Sequence, residues 1–95
     1  MHGEHKTPGG KMVVVDLDRV DDRLRNVEVS GDFFLYPDEL LTAVTSALEG
    51  LDATLDQETI ADHVRRAIPE GAEMLGTSPQ GIAIAVQRAL RERET

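Results

Sequence analysis

The sequence has 95 residues, no cysteine and a formal net charge of −8 at pH 7. A chain of this length forms one domain with one modest core, which is too small to enclose a large active site. The missing cysteines exclude a disulfide framework, a thiolate nucleophile and a cysteine-based zinc site. The acidic charge argues against nucleic-acid binding, because phosphates are neutralised by basic surfaces.

The hydropathy of the chain predicts a soluble, cytoplasmic protein. No apolar run reaches the roughly 18 residues of a membrane span, and the N-terminal residues contain no apolar signal core.

Residues 1–10 are predicted to form a flexible N-terminal arm, because three glycines and a proline interrupt any regular pattern there. His2, Glu4 and His5 lie in this arm and raise the alternative of a metal site. An H-x-x-H spacing near a terminus with no further nearby ligand is weak evidence, so we favour a solvated tail. Residues 11–93 are predicted to form a single α+β domain.

A β-hairpin is predicted at the start of this domain. Residues 11–20 form its first strand, 21–23 its turn and 24–30 its second strand. The segment 32–36 either continues the second strand past a bulge at Gly31 or forms a third short strand. A lone hairpin is marginal in water, so its apolar face must pack on the helices that follow. The core-facing residues of the first strand are Val13, Val15 and Leu17.

The three aromatic residues of the chain, Phe33, Phe34 and Tyr36, fall within four positions. Successive strand residues point to opposite faces, so Phe33 and Leu35 share one face, while Phe34 and Tyr36 share the other. Two interpretations follow. The strand is buried on both faces within this chain, or its second aromatic face is covered by another chain, since exposed apolar patches are uncommon on monomers.

Three helices are predicted after the aromatic segment. The first spans about 38–49, and the second spans about 57–68 with Asp56 as its N-cap. The third begins after Ser78, which caps it, with Pro79 at its first position. Their apolar stripes comprise Leu40, Leu41, Val44, Ala47 and Leu48, then Ile60, Val64, Ala67 and Ile68, then Ile82, Ala85, Val86, Ala89 and Leu90.

The predicted fold class is therefore α+β. A small antiparallel sheet of two or three strands, including the N-terminal hairpin, packs on three C-terminal helices. The segment 70–76 between the second and third helices is predicted to be a turn, helical in part, that places Met74 and Leu75 in the core.

Motifs that carry reaction chemistry are missing from the sequence. It contains no G-x-S-x-G, no H-E-x-x-H and no dinucleotide-binding glycine pattern. The run Gly9-Gly10-Lys11 is not a phosphate loop, because a strand rather than a helix follows its lysine. His63 has charged neighbours and no obvious nucleophile to activate, so we interpret it as a surface residue. The prediction is no catalytic residue and no metal site in this chain.

Three segments carry a resemblance to a known family: KTPGGKMV at 6–13, VSGDFFLYP at 29–37 and LEGL at 48–51. Together they resemble the C-terminal accessory domain of lipoate–protein ligases, over nearly the whole chain from about Lys6 to Leu90. In many ligases this domain follows a large catalytic domain. Here a ten-residue arm precedes it, so the sequence resembles the separately encoded small subunit of a two-part lipoate–protein ligase.

The resemblance implies a function shared with a large catalytic subunit in a heterodimer. Such a ligase salvages free lipoate by forming lipoyl-AMP from lipoate and ATP. It then transfers the lipoyl group to a lysine of a 2-oxoacid dehydrogenase E2 lipoyl domain or of the glycine-cleavage H protein. The resemblance implies that this chain is needed for adenylation. ATP, Mg²⁺ and lipoate are expected in the large subunit, with no cofactor bound by this chain alone.

The aromatic segment is the expected docking surface for the large subunit. Lys11 either reaches a phosphate or an acidic partner residue, or is a solvated lysine at the start of a strand. Two alternatives stay open: a non-catalytic interaction module of another acyl-carrier or 2-oxoacid dehydrogenase system, and a small acid–base hydrolase that uses His63 or a carboxylate pair. The predicted partner-binding residues are Gly31, Asp32, Phe33, Phe34, Tyr36 and Lys11.

Overall fold

A computed structural model describes residues 1–6 and 8–91, and these residues form five strands and three helices. The last two residues of the predicted domain, 92 and 93, lie outside the described part. The order of elements confirms an α+β fold. The bounds are β1 His2–Lys6, β2 Met12–Val20, β3 Arg23–Gly31, β4 Phe34–Tyr36, α1 Glu39–Leu48, α2 Gln57–Ala67, β5 Glu73–Leu75 and α3 Pro79–Arg91.

The predicted hairpin is formed by β2 and β3, which pair antiparallel with Val15 opposite Val29. Its turn residues Asp21 and Asp22 both have positive φ, at 52° and 59°. Positive φ at both central residues is what a type I′ hairpin turn requires. The predicted alternation of β2 is confirmed, since its odd-numbered apolar residues are buried: Val13, Val15 and Leu17.

The prediction of a flexible arm was wrong for His2–Lys6, which form β1 and pair antiparallel with β2. The sheet order is β1-β2-β3, so the predicted hairpin supplies only two of its three strands. Gly3, which looked like a pattern breaker, is the residue that lets β1 lie directly on α3. A Cβ atom at Gly3 would stand 2.1 Å from the Ala85 carbonyl oxygen and 2.4 Å from the Ala89 nitrogen.

Polar contacts hold the start of β1 against β2. The Met1 ammonium donates to the Leu17 carbonyl at 2.9 Å, and the Leu17 N–H donates to the Met1 carbonyl at 2.9 Å. The His2 ring lies between the carboxylates of Glu4, at 2.6 Å, and Asp16, at 2.7 Å. These two hydrogen bonds raise the pKa of His2, because both ring nitrogens donate only in the charged imidazolium.

Helices α2 and α3 begin where their predicted capping residues indicated. The Asp56 carboxylate accepts the Thr59 N–H at 2.8 Å at the start of α2, and the Ser78 hydroxyl accepts the Gly81 N–H at 3.0 Å at the start of α3. Their apolar stripes pack on the sheet and on one another, and most predicted members are buried. Four of the others are half-buried, and Leu41 is the one exposed member, with 38% of its surface accessible on the flank of α1.

The segment between α2 and α3 contains a strand that the sequence interpretation missed. β5 pairs antiparallel with β4 in a separate two-stranded sheet. The prediction that Leu75 lies in the core was therefore wrong: alternation along β5 leaves Met74 half-buried and Leu75 exposed. Within the described part of the chain, no helix combines the length and apolar content that crossing a bilayer requires.

Replacing Gly3 with alanine tests the contact between β1 and α3. The added methyl overlaps helix backbone, so Gly3→Ala should lower the free energy of unfolding by about 1–3 kcal/mol and speed amide exchange at His5 in β1. Gly9→Ala is the control for the exchange measurement: nothing lies within 4 Å of a Cβ atom there, and its only strain is a positive φ of 74° in a loop, so exchange at His5 should not change. Unchanged exchange at His5 in Gly3→Ala would show that β1 does not depend on this close approach.

Candidate docking surface

The small second sheet presents an apolar face to solvent. Phe34 lies opposite Leu75, and Tyr36 lies opposite Glu73. Phe34, Tyr36 and Leu75 are 56%, 58% and 57% exposed, and we call these three residues the aromatic face. On the other side of the sheet, Leu35 is buried in the core. The predicted division of this strand into two faces is confirmed.

The exposure of the aromatic face is unusual for this molecule. Five large hydrophobic side chains are exposed in the described part of the chain, and three of them form this face. The remaining two, Val20 and Leu41, lie on β2 and α1. A contiguous apolar patch on a small soluble domain marks a site of interaction more often than a scattered single residue does.

A shallow groove of about 280 Å³ adjoins the aromatic face and contains both charged residues of the predicted site. The Lys11 N–H donates to the Gly76 carbonyl at 2.9 Å, which holds the loop before β2 against the end of β5. The exposed side chains of Lys11 and Asp32 thus stand beside Phe34 with opposite charges. The groove is lined by Gly9, Gly10, Lys11, Asp32, Phe34, Leu75 and Gly76.

Gly31 turns the chain from the first sheet into the second. Its φ is +150°, and a Cβ atom there would stand 2.1 Å from the Met12 carbonyl oxygen. The same carbonyl accepts the Asp32 N–H at 3.3 Å, so the backbone lies tight against β2 at this point. Phe33, two residues after Gly31, is half-buried and packs against the core.

The six predicted partner-binding residues therefore divide by position. Lys11, Asp32 and Phe34 meet at the groove, and Tyr36 extends the same exposed face. Gly31 lies at the turn between the two sheets, and Phe33 is half-buried against the core. Leu75 and Gly76 were missed, although the alternation in Glu73-Met74-Leu75 between two glycines was the signal of a short strand.

Shifted pKa values occur away from this surface, and their causes are structural. Partial burial lowers the pKa of His5, with the nearby Arg88 charge as a second cause. Hydrogen bonds from Thr54 and Thr59 lower the pKa of Asp52 and Asp56, which sit in a turn and at a helix cap. None of these groups belongs to the aromatic face or its groove.

The residues that the structure describes also contain no group of three or more His, Cys, Asp or Glu side chains placed to hold a metal ion. His63, the catalytic candidate of the hydrolase alternative, is half-buried on α2. What the aromatic face offers is contact area, with one positive and one negative side chain at its edge.

Comparison with known proteins relates the fold to a lipoylation system. No protein-family model matches the sequence, and no curated protein matches it. The structure is similar to a chain in a solved structure of an archaeal lipoylation system from Thermoplasma acidophilum, described as a bi-partite lipoate protein ligase and its E2 lipoyl domain. The TM-score is 0.71 at 25% sequence identity. By its structure, this chain is related to a component of a lipoate protein ligase system.

The likeness extends over the whole fold. It covers 98% of this chain and 96% of the archaeal chain, so the two chains are close in length. The resemblance inferred from three short sequence segments is thereby confirmed, and the match extends it to elements outside those segments, including β1 and β5, which the sequence interpretation missed.

Substitution of Gly31 tests the junction behind the aromatic face. Gly31→Ala should lower the free energy of unfolding by about 2 kcal/mol or more, because the methyl adds a backbone clash to an unfavourable φ. Gly71→Ala is the control, since Gly71 also has positive φ, at 86°, but has open space around a Cβ atom. Chemical denaturation of both variants measures the difference. Equal losses would mean that the contact with Met12 adds nothing to strain at Gly31.

Proposed function

We propose that this chain is the accessory subunit of a bipartite lipoate–protein ligase and is needed with a large catalytic subunit for ATP-dependent formation of lipoyl-AMP. The observation that carries this proposal is the likeness, over 98% of the chain, to a chain from a bi-partite lipoate protein ligase system. The exposed aromatic face supports the proposal independently, because this face is a surface to which a partner can bind.

Adenylation gives a physical reason for a second subunit. The reaction must hold two anions, the lipoate carboxylate and the ATP triphosphate, close together in a site that excludes water. A docked subunit can order the loops over such a site and complete its closure. In this proposal the large subunit binds ATP, Mg²⁺ and lipoate and supplies the reacting groups. The net charge of −8 is consistent with that division, because an acidic surface repels a nucleotide.

The aromatic face is the proposed contact with the large subunit. Rings such as Phe34 and Tyr36 bring large contact areas at little cost in side-chain entropy, and aromatic residues dominate the energetics of many interfaces. Lys11 and Asp32 lie at the edge of this face, where opposite charges select the orientation of a partner more than they add affinity. The complex is a heterodimer in this proposal.

A reconstitution assay tests the proposal. Lipoyl-AMP formation by the large subunit is measured alone, with this chain, and with the double variant Phe34→Ala/Tyr36→Ala. We expect adenylation to depend on this chain, and we expect the double variant to weaken binding by about tenfold or more while its melting temperature changes little. Val20→Ala, which truncates an exposed side chain at the end of β2, is the control and should bind normally.

Two results would contradict the proposal. Adenylation that is equally fast without this chain would remove its accessory role. Lipoyl-AMP formation by this chain alone, without the large subunit, would place the reacting groups here instead.

A further inference from the structure

The outer edge of β3 carries unpaired backbone groups. In an antiparallel sheet, successive residues of a strand point their N–H and C=O groups to alternate sides. The Asp32 N–H donates to the Met12 carbonyl, so the even-numbered residues at this end of β3 point toward β2. The backbone N–H and C=O groups of Val29 therefore point away from β2. Those of Val27 do the same, and the Val27 N–H donates to the Glu49 carboxylate at 2.9 Å. Val29 has no strand beside it, because β3 ends the described three-stranded sheet.

Other parts of the sheet edge have side-chain partners for their backbone groups. Along β1, the Arg88 guanidinium donates to the outward carbonyl of Glu4 at 2.8 Å. In the middle of β3, the Glu49 carboxylate accepts the N–H groups of Asn26 and Val27 next to an irregularity in the pairing. Natural proteins block free edges in such ways, because open edges recruit other strands. In the described structure, Val29 has neither a side-chain hydrogen bond to its outward backbone groups nor an irregularity in its strand pairing.

A groove of about 410 Å³ runs along this unprotected edge, between β3 and α1. Leu41 borders it, which explains why this member of the α1 apolar stripe is 38% exposed rather than buried. The groove thus combines free backbone donors and acceptors on one wall with an apolar side chain on the other. Its lining residues are Val27, Glu28, Val29, Ser30, Leu41, Thr42, Thr45 and Ser46.

The charges around the groove select the kind of occupant. Glu28 lines it and the Glu49 carboxylate binds the Val27 N–H at one end, and none of its lining residues is a lysine or an arginine. The basic side chains of Arg23 and Arg25 lie beside Gly50, next to Glu49, and outside the lining. A second copy of this chain would bring another net charge of −8 to the same edge. Electrostatic complementarity favours a basic segment instead.

We propose that an extended segment of the large catalytic subunit, with alternating apolar and basic side chains, adds to β3 as a fourth strand in this groove. The inference rests on the proposed function and adds a second contact to the aromatic face, to which the groove connects through Gly31. A segment of about four or five residues spans Val27 to Gly31 at the usual rise of roughly 3.3 Å per residue. Main-chain hydrogen bonds would supply affinity, and the side chains would supply selectivity.

Amide exchange in the complex tests this strand addition. The chain is labelled with ¹⁵N, and exchange is compared between the free chain and its complex with the large subunit. The Val29 amide should slow by about tenfold or more on binding, because it gains a partner. The Ser30 amide is the internal control, since it already points toward β2 and should change little.

A substitution in the groove provides a second measurement. Thr42 is exposed on the α1 wall, so Thr42→Arg should fold normally while it fills the groove and repels a basic segment. Its affinity for the large subunit should fall by about tenfold or more. Gln57→Arg makes the same charge change at an exposed position of α2 outside the groove and should bind as the unaltered chain does.

The outcomes separate this inference from the proposed function. If the complex forms and supports adenylation while Val29 exchange and Thr42→Arg binding are unchanged, strand addition is wrong and the accessory role stands. If Val29 is already protected in the free chain in a concentration-dependent way, a second copy occupies the edge, and the inference is overturned. If the large subunit does not bind this chain, both proposals fail.

Discussion

One backbone contact, between Gly31 and the Met12 carbonyl, determines how the two sheets of this molecule meet. Because Gly31 has no side chain, β3 can end against β2 and the chain can turn at once into β4. That turn places Leu35 in the core and Phe34 on the surface. It also leaves the outer edge of β3 open beside α1. Ser30 lines the groove beside β3 and Asp32 lines the groove beside the aromatic face, so Gly31 lies between the two candidate contact surfaces.

The chemical character of the molecule follows from the same arrangement. The interior of the described chain contains no buried charged or polar residue, and the groups with shifted pKa values lie at one helix cap, in one turn and in β1. What remains exposed for use is an aromatic face with Lys11 and Asp32 at its edge, and one acidic groove. A body of this kind is suited to holding another protein in position, which is the role proposed for this chain.

Local signals in the sequence predicted those elements whose side chains alternate clearly or whose ends carry strong caps. The hairpin followed from the alternation of β2 and the acidic turn at Asp21 and Asp22, and two of the helices began where Asp56 and Ser78 indicated. The two faces of β4 followed from the spacing of its aromatic residues. Each of these features depends on residues close together in the chain.

The missed elements depend on contacts between distant residues. β1 has the polar sequence HGEHK, so it contains no alternating apolar pattern from which a strand could be predicted. Its stability comes from pairing with β2 and from the close approach of Gly3 to α3. β5 has only three residues and exists as a strand because β4 pairs with it. For the docking surface, the sequence supplied the aromatic residues but not Leu75, whose exposure depends on that pairing.

The central claim is that this chain holds its partner with the surfaces that meet at the Gly31 junction. The most direct test is a map of ¹⁵N–¹H chemical-shift changes as the large subunit is added to the labelled chain. We predict that the largest changes cluster on β4, β5 and the outer edge of β3, while the solvent-facing side of α2 changes little. Changes centred on α2, with the Gly31 junction unaffected, would contradict the account.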